Sequence, residues 1–285
     1  MQLDMLLSSL WFWVWLTCLG ACIGSFLNVV IYRLPKVLHN QWHQAFISEA
    51  LAKGVDIQAI SYTPEPPLSL AFPRSFCPRC QQSIRWWHNV PVISYLVLRG
   101  CCAMCHVPIP KRYLLIELLG AMLPLMIVWR LGLNIPAVAF LLFSYTTLAL
   151  SVLDARHYLL PDKVVLSLLW AGLLVNVNGI FVSLESAVIG SALGYGVLWL
   201  FCTVFSAVTG KQGMGQGDWK LLAAIGAWFG WQSLSGVVLV ASVSGLVFAL
   251  VAKVVQRRAL TKPLPFGPFL ALGAWLSVIM PVYSM

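Results

Sequence analysis

The chain is 285 residues long, and 60% of its residues are hydrophobic while only 9% are charged. An average soluble domain carries roughly 25% charged residues. The composition therefore excludes an ordinary water-exposed surface and predicts a protein embedded in lipid. The formal net charge of +9 is explained by the membrane orientation argued below, so we do not expect nucleic-acid binding.

Apolar runs recur along the whole chain, and a bilayer needs about 20 such residues to be crossed. The first run lacks a basic region before it and an A-x-A site after it, so we expect a retained membrane anchor rather than a cleaved signal peptide. The pattern predicts an all-α polytopic membrane protein with about eight transmembrane helices. The predicted spans are 9–32, 113–130, 136–153, 163–181, 185–209, 219–232, 233–253 and 264–284.

These spans divide the chain into three regions. Residues 1–32 form the first transmembrane helix, residues 33–112 a cysteine-rich loop, and residues 113–285 a membrane-embedded bundle. If the loop is cytoplasmic, the alternation of spans places 17 of the 18 Lys and Arg residues on that face and only Arg130 outside. Membrane proteins keep an excess of Lys and Arg in the cytoplasm. We therefore expect a cytoplasmic loop and an N-terminus outside.

The loop contains two C-x-x-C units, Cys77-Pro-Arg-Cys80 and Cys102-Ala-Met-Cys105. Four thiolates at this spacing can surround Zn²⁺ tetrahedrally at about 2.3 Å, and a reducing compartment disfavours disulfides. We predict a structural zinc site, because four thiolates leave no open position for catalysis. Free buried thiols or a redox pair are the alternative. Cys101 could compete for the metal, but its spacing to Cys105 is wrong for a knuckle.

Two of the nine acidic residues lie where predicted spans meet the cytoplasmic face. Asp154 ends the third span, which is a poor position for a carboxylate because a helix C-terminus is itself negative. Asp218 ends the segment Gly213-Met-Gly215-Gln-Gly217-Asp218. An Asp before a helix is often only an N-cap, but alternating glycines also permit close approach of an extended peptide. Two neighbouring carboxylates share a proton, so one activates water while the other hydrogen-bonds a carbonyl, which is aspartyl protease chemistry.

Two further carboxylates have less specific surroundings. Asp162, in the segment Leu160-Pro-Asp-Lys163, is expected to cap the fourth span. Glu117 lies about one turn inside the second span. Carboxylates inside membrane spans are functional candidates, although pairing with Arg112 or Lys111 would explain Glu117 equally well.

The motifs, taken together and in this order, resemble those of the type IV prepilin peptidases, also called leader peptidase/N-methyltransferases. The resemblance runs from about residue 20 to residue 275. The motifs that carry it are Gly24-Ser-Phe-Leu-Asn-Val-Val-Ile-Tyr-Arg-Leu-Pro35, the paired C-x-x-C loop with Asn89-Val-Pro-Val-Ile-Ser-Tyr95, Asp154 followed by Leu159-Leu-Pro-Asp162, and Gly213-Met-Gly-Gln-Gly-Asp218.

This resemblance implies a bifunctional enzyme of the bacterial inner membrane. Members of the family cut the basic leader from type IV prepilins or type II secretion pseudopilins, and many methylate the new N-terminus with S-adenosylmethionine. The resemblance assigns catalysis to Asp154 and Asp218, places Gly215 and Gly217 beside the substrate, and puts zinc on the four paired cysteines. No glycine-rich nucleotide loop is visible, so the methyl-donor site is expected by resemblance alone, with Glu117 as a candidate.

Two other functions use similar residues. A presenilin-like intramembrane aspartyl protease also has a G-x-G-D motif, but the cysteine-rich loop and the position of the aspartates at the membrane face argue against it. A proton-coupled transporter could use Asp154 and Asp218 as a relay. Transporters usually keep such carboxylates near the bilayer midplane, between inverted repeats, and the sequence has neither feature.

Overall fold

The computed structural model describes residues 9–53, 69–211, 213–256 and 264–279, and these ranges are mostly helical with no β-strand among them. Arg257, Arg258 and Lys262, which are among the 18 basic residues of the orientation prediction, lie outside the described residues. A short 3-10 helix covers Trp86–Asn89. The α-helices are α1 (Leu10–Ala52), α2 (Ile93–Val97), α3 (Lys111–Leu131), α4 (Ile135–His157), α5 (Asp162–Asn176), α6 (Leu184–Thr209), α7 (Gln216–Gln256) and α8 (Gly267–Ile279).

The membrane-spanning character of the chain rests on its long apolar helices. Five helices of the described ranges, α1, α3, α4, α6 and α7, are long and apolar enough to cross a bilayer, and α8 is a shorter apolar helix. Six of the eight predicted spans each overlap one helix, α1, α3, α4, α5, α6 or α8. The other two overlap the two segments of α7, which are described next. The prediction of an all-α polytopic membrane protein is confirmed.

Helix α7 contains a break at Gly230, whose φ of 75° and ψ of 174° are not helical. The two spans predicted at 219–232 and 233–253 meet close to this glycine. After the break, a Cβ on Gly273 of α8 would lie 2.6 Å from the carbonyl of Val237, and Gly245 faces Phe269. Higher numbers in α7 thus face lower numbers in α8, so the second segment of α7 runs antiparallel to α8.

Residues fall into two compact units, Met1–Met126 and Ile127–Met285. The predicted boundary between loop and bundle, at residue 112, differs from this division, which lies inside α3. Helix α3 packs closely against α1 within unit 1. A Cβ added to Gly20 of α1 would lie 2.5 Å from the carbonyl oxygen of Gly120 in α3, and a Cβ added to Gly120 would lie 2.7 Å from Cα of Gly24. Small residues at a spacing of four allow such close helix crossings in membranes.

Helix α1 is much longer than the predicted first span, since it continues past residue 32 to Ala52. Its second half is too polar for a search based on apolar runs to detect, but the sequence there favours a helix. Glu49 and Lys53, four residues apart, form an ion pair of 2.6 Å at the exposed end of α1. The beginning of the region predicted as a loop is therefore helical.

A buried arginine holds the following segment against α1. Arg33 is only 3% exposed, and its guanidinium has no need of a carboxylate because it donates to four backbone carbonyls. The acceptors are the oxygens of Ser69 at 3.0 Å, Leu70 at 3.3 Å, Pro73 at 2.7 Å and Arg74 at 3.4 Å.

Unit 2 is built around fully buried aromatic side chains. Phe143 of α4 packs against Trp228 and Phe229 of α7, with ring centroids 5.3 and 4.9 Å apart. The indole of Trp228 also donates to the carbonyl of Leu168 in α5 at 2.8 Å. These contacts place α4 and α5 against the first segment of α7.

A buried amide compensates for the break in α7. A helix break leaves the carbonyls of the preceding turn without their usual donors. The side chain of Asn176, which is fully buried, donates to the carbonyls of Ala227 and Trp228 at 2.9 and 2.8 Å. Its oxygen accepts from the backbone of Phe181 and Val182 at 3.0 and 3.2 Å. The amide nitrogen thus joins α5 to α7, while the amide oxygen holds the connection between α5 and α6.

Candidate active site and metal site

Asp154 lies in the last turn of α4 and is only 6% exposed. The helix ends at Tyr158, a left-handed residue whose N–H donates to the carbonyl of Asp154 at 2.9 Å. The side-chain Oδ2 of Asp154 accepts a hydrogen bond of 2.9 Å from the backbone N–H of Gly267. Gly267 is the first residue of α8, so the carboxylate caps a helix N-terminus, where negative charge is stabilised.

Gly267 is a site residue that the sequence did not reveal. A Cβ at this position would lie 2.9 Å from Oδ2 and 3.3 Å from Cγ of Asp154, so any side chain would push the carboxylate away. The neighbouring Pro268 is the one local indication in the sequence, because proline favours the first turn of a helix. That signal predicts a helix start but not the carboxylate that binds there.

Asp218 lies in the first turn of α7, which begins at Gln216, and is 7% exposed. The alternative explanation of Asp218 as an N-cap does not apply, because Asp218 is the third residue of the helix. From that position its carboxylate interacts with the backbone of Gly215, as acidic side chains do when they reach back over a helix start. Its other oxygen, Oδ1, is buried and has no hydrogen-bond partner among the described residues. Such an unpartnered buried oxygen is rare and marks a position where a ligand or water would bind.

The two aspartates come together in the folded chain. Leu160, just beyond the end of α4, lies against Gly217 at the start of α7, and the two carboxylates are near enough for the charge of Asp154 to act on Asp218. We refer to Asp154 and Asp218 as the aspartate pair. Both carboxylates are buried, and they belong to different helices of unit 2. Their catalytic role stays a prediction.

The glycines before Asp218 differ in their surroundings. A Cβ on Gly217 would lie 2.7 Å from Cβ of Leu160, so this glycine permits packing of the α7 start against the α4–α5 connection. Gly215 is exposed and has only the Asp218 carboxylate nearby, at 3.5 Å from an added Cβ. Open space therefore lies beside the carboxylate at Gly215, whereas Gly217 has a packing reason of its own. Contact of either glycine with a substrate stays a prediction.

Asp162 is not the cap that was expected. The N-cap of α5 is Pro161, and Asp162 is the first helical residue. Its Oδ1 instead forms an ion pair with Nζ of Lys220 in α7, at a distance of 2.7 Å. Because Lys220 is two residues beyond Asp218, this pair joins the starts of α5 and α7 next to the aspartate pair.

The four cysteines of the two C-x-x-C units form one cluster in unit 1. The four sulfur atoms lie within 4.8 Å of one another, so the group could hold a metal ion. Sulfurs at about 2.3 Å around a tetrahedral zinc are roughly 3.8 Å apart, and Cys77 Sγ lies 3.8 Å from Cys105 Sγ. The residues therefore fit the predicted zinc. We refer to Cys77, Cys80, Cys102 and Cys105 as the cysteine cluster.

The two halves of the cluster have the same backbone arrangement. In the first half, Gln81 has a positive φ and its backbone N–H donates to the carbonyl of Cys77 at 2.9 Å. In the second half, His106 has a positive φ and its N–H donates to the carbonyl of Cys102 at 3.0 Å. Antiparallel bridges close both halves, Phe76 with Ser83 and Cys101 with Pro108. Cys101 thus occupies the backbone position of Phe76 and does not belong to the cluster.

The local backbone favours metal binding by one thiol in particular. Hydrogen bonds from the backbone of Cys105, and then of Met104, lower the pKa of Cys102 to about 7. Desolvation and the contacts with the other cysteines of the cluster raise the pKa of Cys105. A thiolate rather than a thiol is the metal ligand, so the lowered pKa of Cys102 favours the form that binds metal.

Glu117 is partly buried, and its position is explained by hydrogen bonds within unit 1 rather than by pairing with Arg112 or Lys111. Its Oε2 accepts a hydrogen bond of 2.8 Å from the backbone N–H of Val92, and the hydroxyl of Ser25 also interacts with it. Glu117 therefore joins α3, α1 and the segment before α2 within unit 1.

Comparison with known proteins identifies the class of protein to which this arrangement belongs. Residues 18–131 match the bacterial peptidase A24 N-terminal domain, and residues 141–250 match the type IV leader peptidase family. The first match contains the cysteine cluster, and the second contains the aspartate pair. The chain belongs to the type IV leader peptidase family.

Curated relatives support this assignment over almost the whole chain. A prepilin leader peptidase/N-methyltransferase of Pseudomonas aeruginosa is 43% identical over 92% of this chain and 88% of its own length. Proteins of the same name from Pectobacterium carotovorum subsp. carotovorum, over 96% and 95% of the two chains, and from Neisseria gonorrhoeae, over 90% and 87%, are each 42% identical. No solved structure matches the chain. The presenilin-like and transporter interpretations are not favoured by these matches.

Proposed function

We propose that this protein cleaves the leader peptide of prepilins, with Asp154 and Asp218 as the catalytic pair, and N-methylates the residue exposed by the cut. The substrates are type IV prepilins or type II secretion pseudopilins, whose leaders are basic. Family membership and the names of the relatives support the reaction, and the geometry of unit 2 supports the residues.

The observation that carries the proposal is the burial of two interacting carboxylates with one oxygen left unpartnered. Ionisable groups inside membrane proteins are costly and usually functional. Asp154 has a structural partner in Gly267, but Oδ1 of Asp218 has none among the described residues. Unpartnered buried carboxylate oxygens are uncommon in folded proteins, so this oxygen, beside a second buried carboxylate, supports a role in binding water or substrate.

The pair can act as a shared-proton system. One carboxylate is ionised and takes a proton from a water molecule. The oxygen of that water attacks the carbon of the scissile carbonyl at the same time. The other is protonated and donates to the carbonyl oxygen, where charge develops. Proton return to the leaving nitrogen then releases the leader. The open backbone at Gly215, beside Asp218, gives an extended peptide room to approach.

Methylation requires a donor, and the relatives' names imply S-adenosylmethionine. We propose that unit 1 serves this second activity and that zinc fills the cysteine cluster. With four thiolates the metal has no open position, so it would fold the segment rather than take part in chemistry.

We further propose that the protein lies in the bacterial inner membrane with the cysteine cluster and the aspartate pair at the cytoplasmic face. The asymmetry of Lys and Arg supports this orientation. Arg130 donates to the carbonyl of Ile279 at 3.2 Å, so the ends of α3 and α8 lie together, as expected if both face outward. Labelling of single cysteines placed at Lys53 and Lys211 should occur from the cytoplasm, and labelling at Arg130 from outside.

The function is tested by co-expression of the protein with a prepilin that carries a basic leader. Intact-mass spectrometry should show loss of the leader and addition of one methyl group to the mature chain. Uncleaved prepilin in the presence of membrane-inserted wild-type protein would contradict the proposal. Cleavage without the methyl mass would remove only the methyltransferase part.

A further inference from the structure

Unit 1 contains a cavity of about 850 Å³ that the peptidase chemistry does not use. Its wall includes residues from α1, from the cysteine segment and from α3, so three separated parts of the sequence surround it. Cavities that bind cofactors and other small molecules usually measure about 300–1,000 Å³. All of its lining residues lie between Ser25 and Glu117, within a single unit of the structure.

Among the described residues, the one carboxylate in the wall of the cavity is that of Glu117. This residue sits inside an apolar helix, where a charge is costly unless it has a function. It also holds Val92 in place by accepting its N–H at 2.8 Å. Val92 has a φ of 61°, which is strained for a β-branched residue, and such strain is often found at binding sites. The cation Arg33 also lines the cavity, but its guanidinium is already occupied by four carbonyls.

The remainder of the wall combines aromatic rings with cations near the surface. Tyr32, Tyr95 and Tyr113 contribute rings, and Arg85 and Arg112 contribute guanidinium groups. Aromatic rings bind both flat heterocycles and organic cations. Guanidinium groups bind carboxylates in a fork geometry. The wall therefore suits a ligand that carries an aromatic base, a positive centre and a carboxylate.

We propose that this cavity binds S-adenosylmethionine, with Glu117 facing its positively charged end; the inference rests on the proposed N-methyltransferase function and locates its donor site. The ligand has the required parts: adenine for the rings, a sulfonium and an ammonium for Glu117, and a carboxylate for the guanidinium groups. When bound, it supplies a methyl carbon that forms a bond to the neutral N-terminal amine as its bond to sulfur breaks, with the electron pair remaining on sulfur and one amine proton passing to solvent.

The location also gives the cysteine cluster a purpose. Cys77 and Cys102 are part of the cavity wall. A metal that holds the two knuckles together would therefore shape one side of the binding site, without touching the reacting atoms.

Glu117→Gln tests the proposal directly, because an amide oxygen can still accept from Val92 while the negative charge is lost. Titration calorimetry of the purified full-length protein with S-adenosylhomocysteine and S-adenosylmethionine should show binding to the wild type. The variant should bind S-adenosylmethionine about tenfold more weakly or worse, since it loses a charge-assisted interaction. Glu49→Gln is the matched control, because Glu49 is exposed on α1 and is not part of the wall. Equal affinity of the Glu117→Gln and wild-type proteins would overturn the proposal.

A second measurement does not depend on any variant. Ultraviolet cross-linking of wild-type protein to radiolabelled S-adenosylmethionine, followed by peptide mapping, should label segments within residues 25–33 or 76–117. Label confined to unit 2 would overturn the location. Wild-type protein that fails to bind the donor would also overturn it. Prepilin methylation in the same cells would then show that the function stands and the site lies elsewhere, whereas absent methylation would show that the methyltransferase function has failed.

Discussion

The two units position their functional groups by different means. In unit 2, the aspartate pair lies at the ends of helices that pack through large buried side chains such as Trp228 and Phe143. In unit 1, across residues 69–110, only Cys77 and Gly100 are buried. The aspartates are thus held by a core, whereas the cysteine segment has almost none of its own.

This difference teaches what each site depends on. A segment that buries little apolar surface needs cross-links to keep one conformation. Unit 1 has the hydrogen bonds from Arg33 to four carbonyls, and a metal in the cysteine cluster would add a second kind of cross-link. We therefore expect methylation to depend on the metal, and cleavage to depend on packing around the aspartate pair.

The largest effect should come from removing one member of the aspartate pair. Asp154→Asn or Asp218→Asn should each lower prepilin cleavage by roughly 10³-fold or more, because neither amide can take part in the shared-proton system. Mass spectrometry of co-expressed prepilin measures the uncut fraction. Donor binding in unit 1 should persist in both variants.

Asp162→Asn is the matched control for this experiment, because it makes the same chemical change at an exposed carboxylate beside the pair. It should retain most of the cleavage activity. Near-normal cleavage by an Asp154→Asn or Asp218→Asn protein would exclude that residue from catalysis.

The next largest effect should follow loss of the metal from unit 1. Cys80→Ser should reduce zinc content, measured by elemental analysis, and lower methylation by roughly tenfold or more, while cleavage falls less. Cys101→Ser is the control, because Cys101 is adjacent to the cluster but outside it. Wild-type protein that methylates normally and contains no zinc would end the metal hypothesis.

A smaller effect on cleavage alone is expected at the start of α8. Gly267→Ala should lower cleavage about tenfold, because the added methyl group would displace the Asp154 carboxylate and weaken its hydrogen bond. The same substitution at Gly196 of α6, where nothing lies within 4 Å of an added Cβ, should leave cleavage unchanged. An equal loss in both variants would mean that Asp154 needs no space at Gly267.

The smallest effect should be that of the ion pair between Asp162 and Lys220. A double-mutant cycle with Asp162→Asn and Lys220→Gln should give a coupling free energy of about 0.2–1 kcal/mol of stability, since the pair is partly exposed. Thermal unfolding of the four proteins measures it. A coupling of several kcal/mol would show that this pair, rather than packing, holds the α7 start.

The sequence was sufficient for the membrane helices, because these are runs of apolar residues. A carboxylate at the end of such a run is easily recognised, so the sequence also singles out Asp154 and Asp218, whose catalytic role stays a prediction. The second half of α1 was missed because it is too polar to form an apolar run and because it contains Pro35, which disfavours a helix interior.

Features that depend on distant contacts could not be predicted in this way. Gly267 contacts a residue 113 positions earlier, and nothing around it in sequence indicates a carboxylate. The expected cap at Asp162 failed for the same reason, because its partner Lys220 is 58 positions away. The cavity of unit 1 forms only where α1, the cysteine segment and α3 meet, so no single sequence motif indicates it.

The hydrogen bond between Asp154 and Gly267 also bears on how the enzyme is made. A ribosome delivers α4 to the membrane long before α8, which is the last described helix of the chain. Until α8 inserts, Asp154 lacks the N–H that holds its carboxylate in place. In a nascent chain, therefore, the Asp154 carboxylate lacks its backbone partner until α8 has been synthesised and has folded against α4.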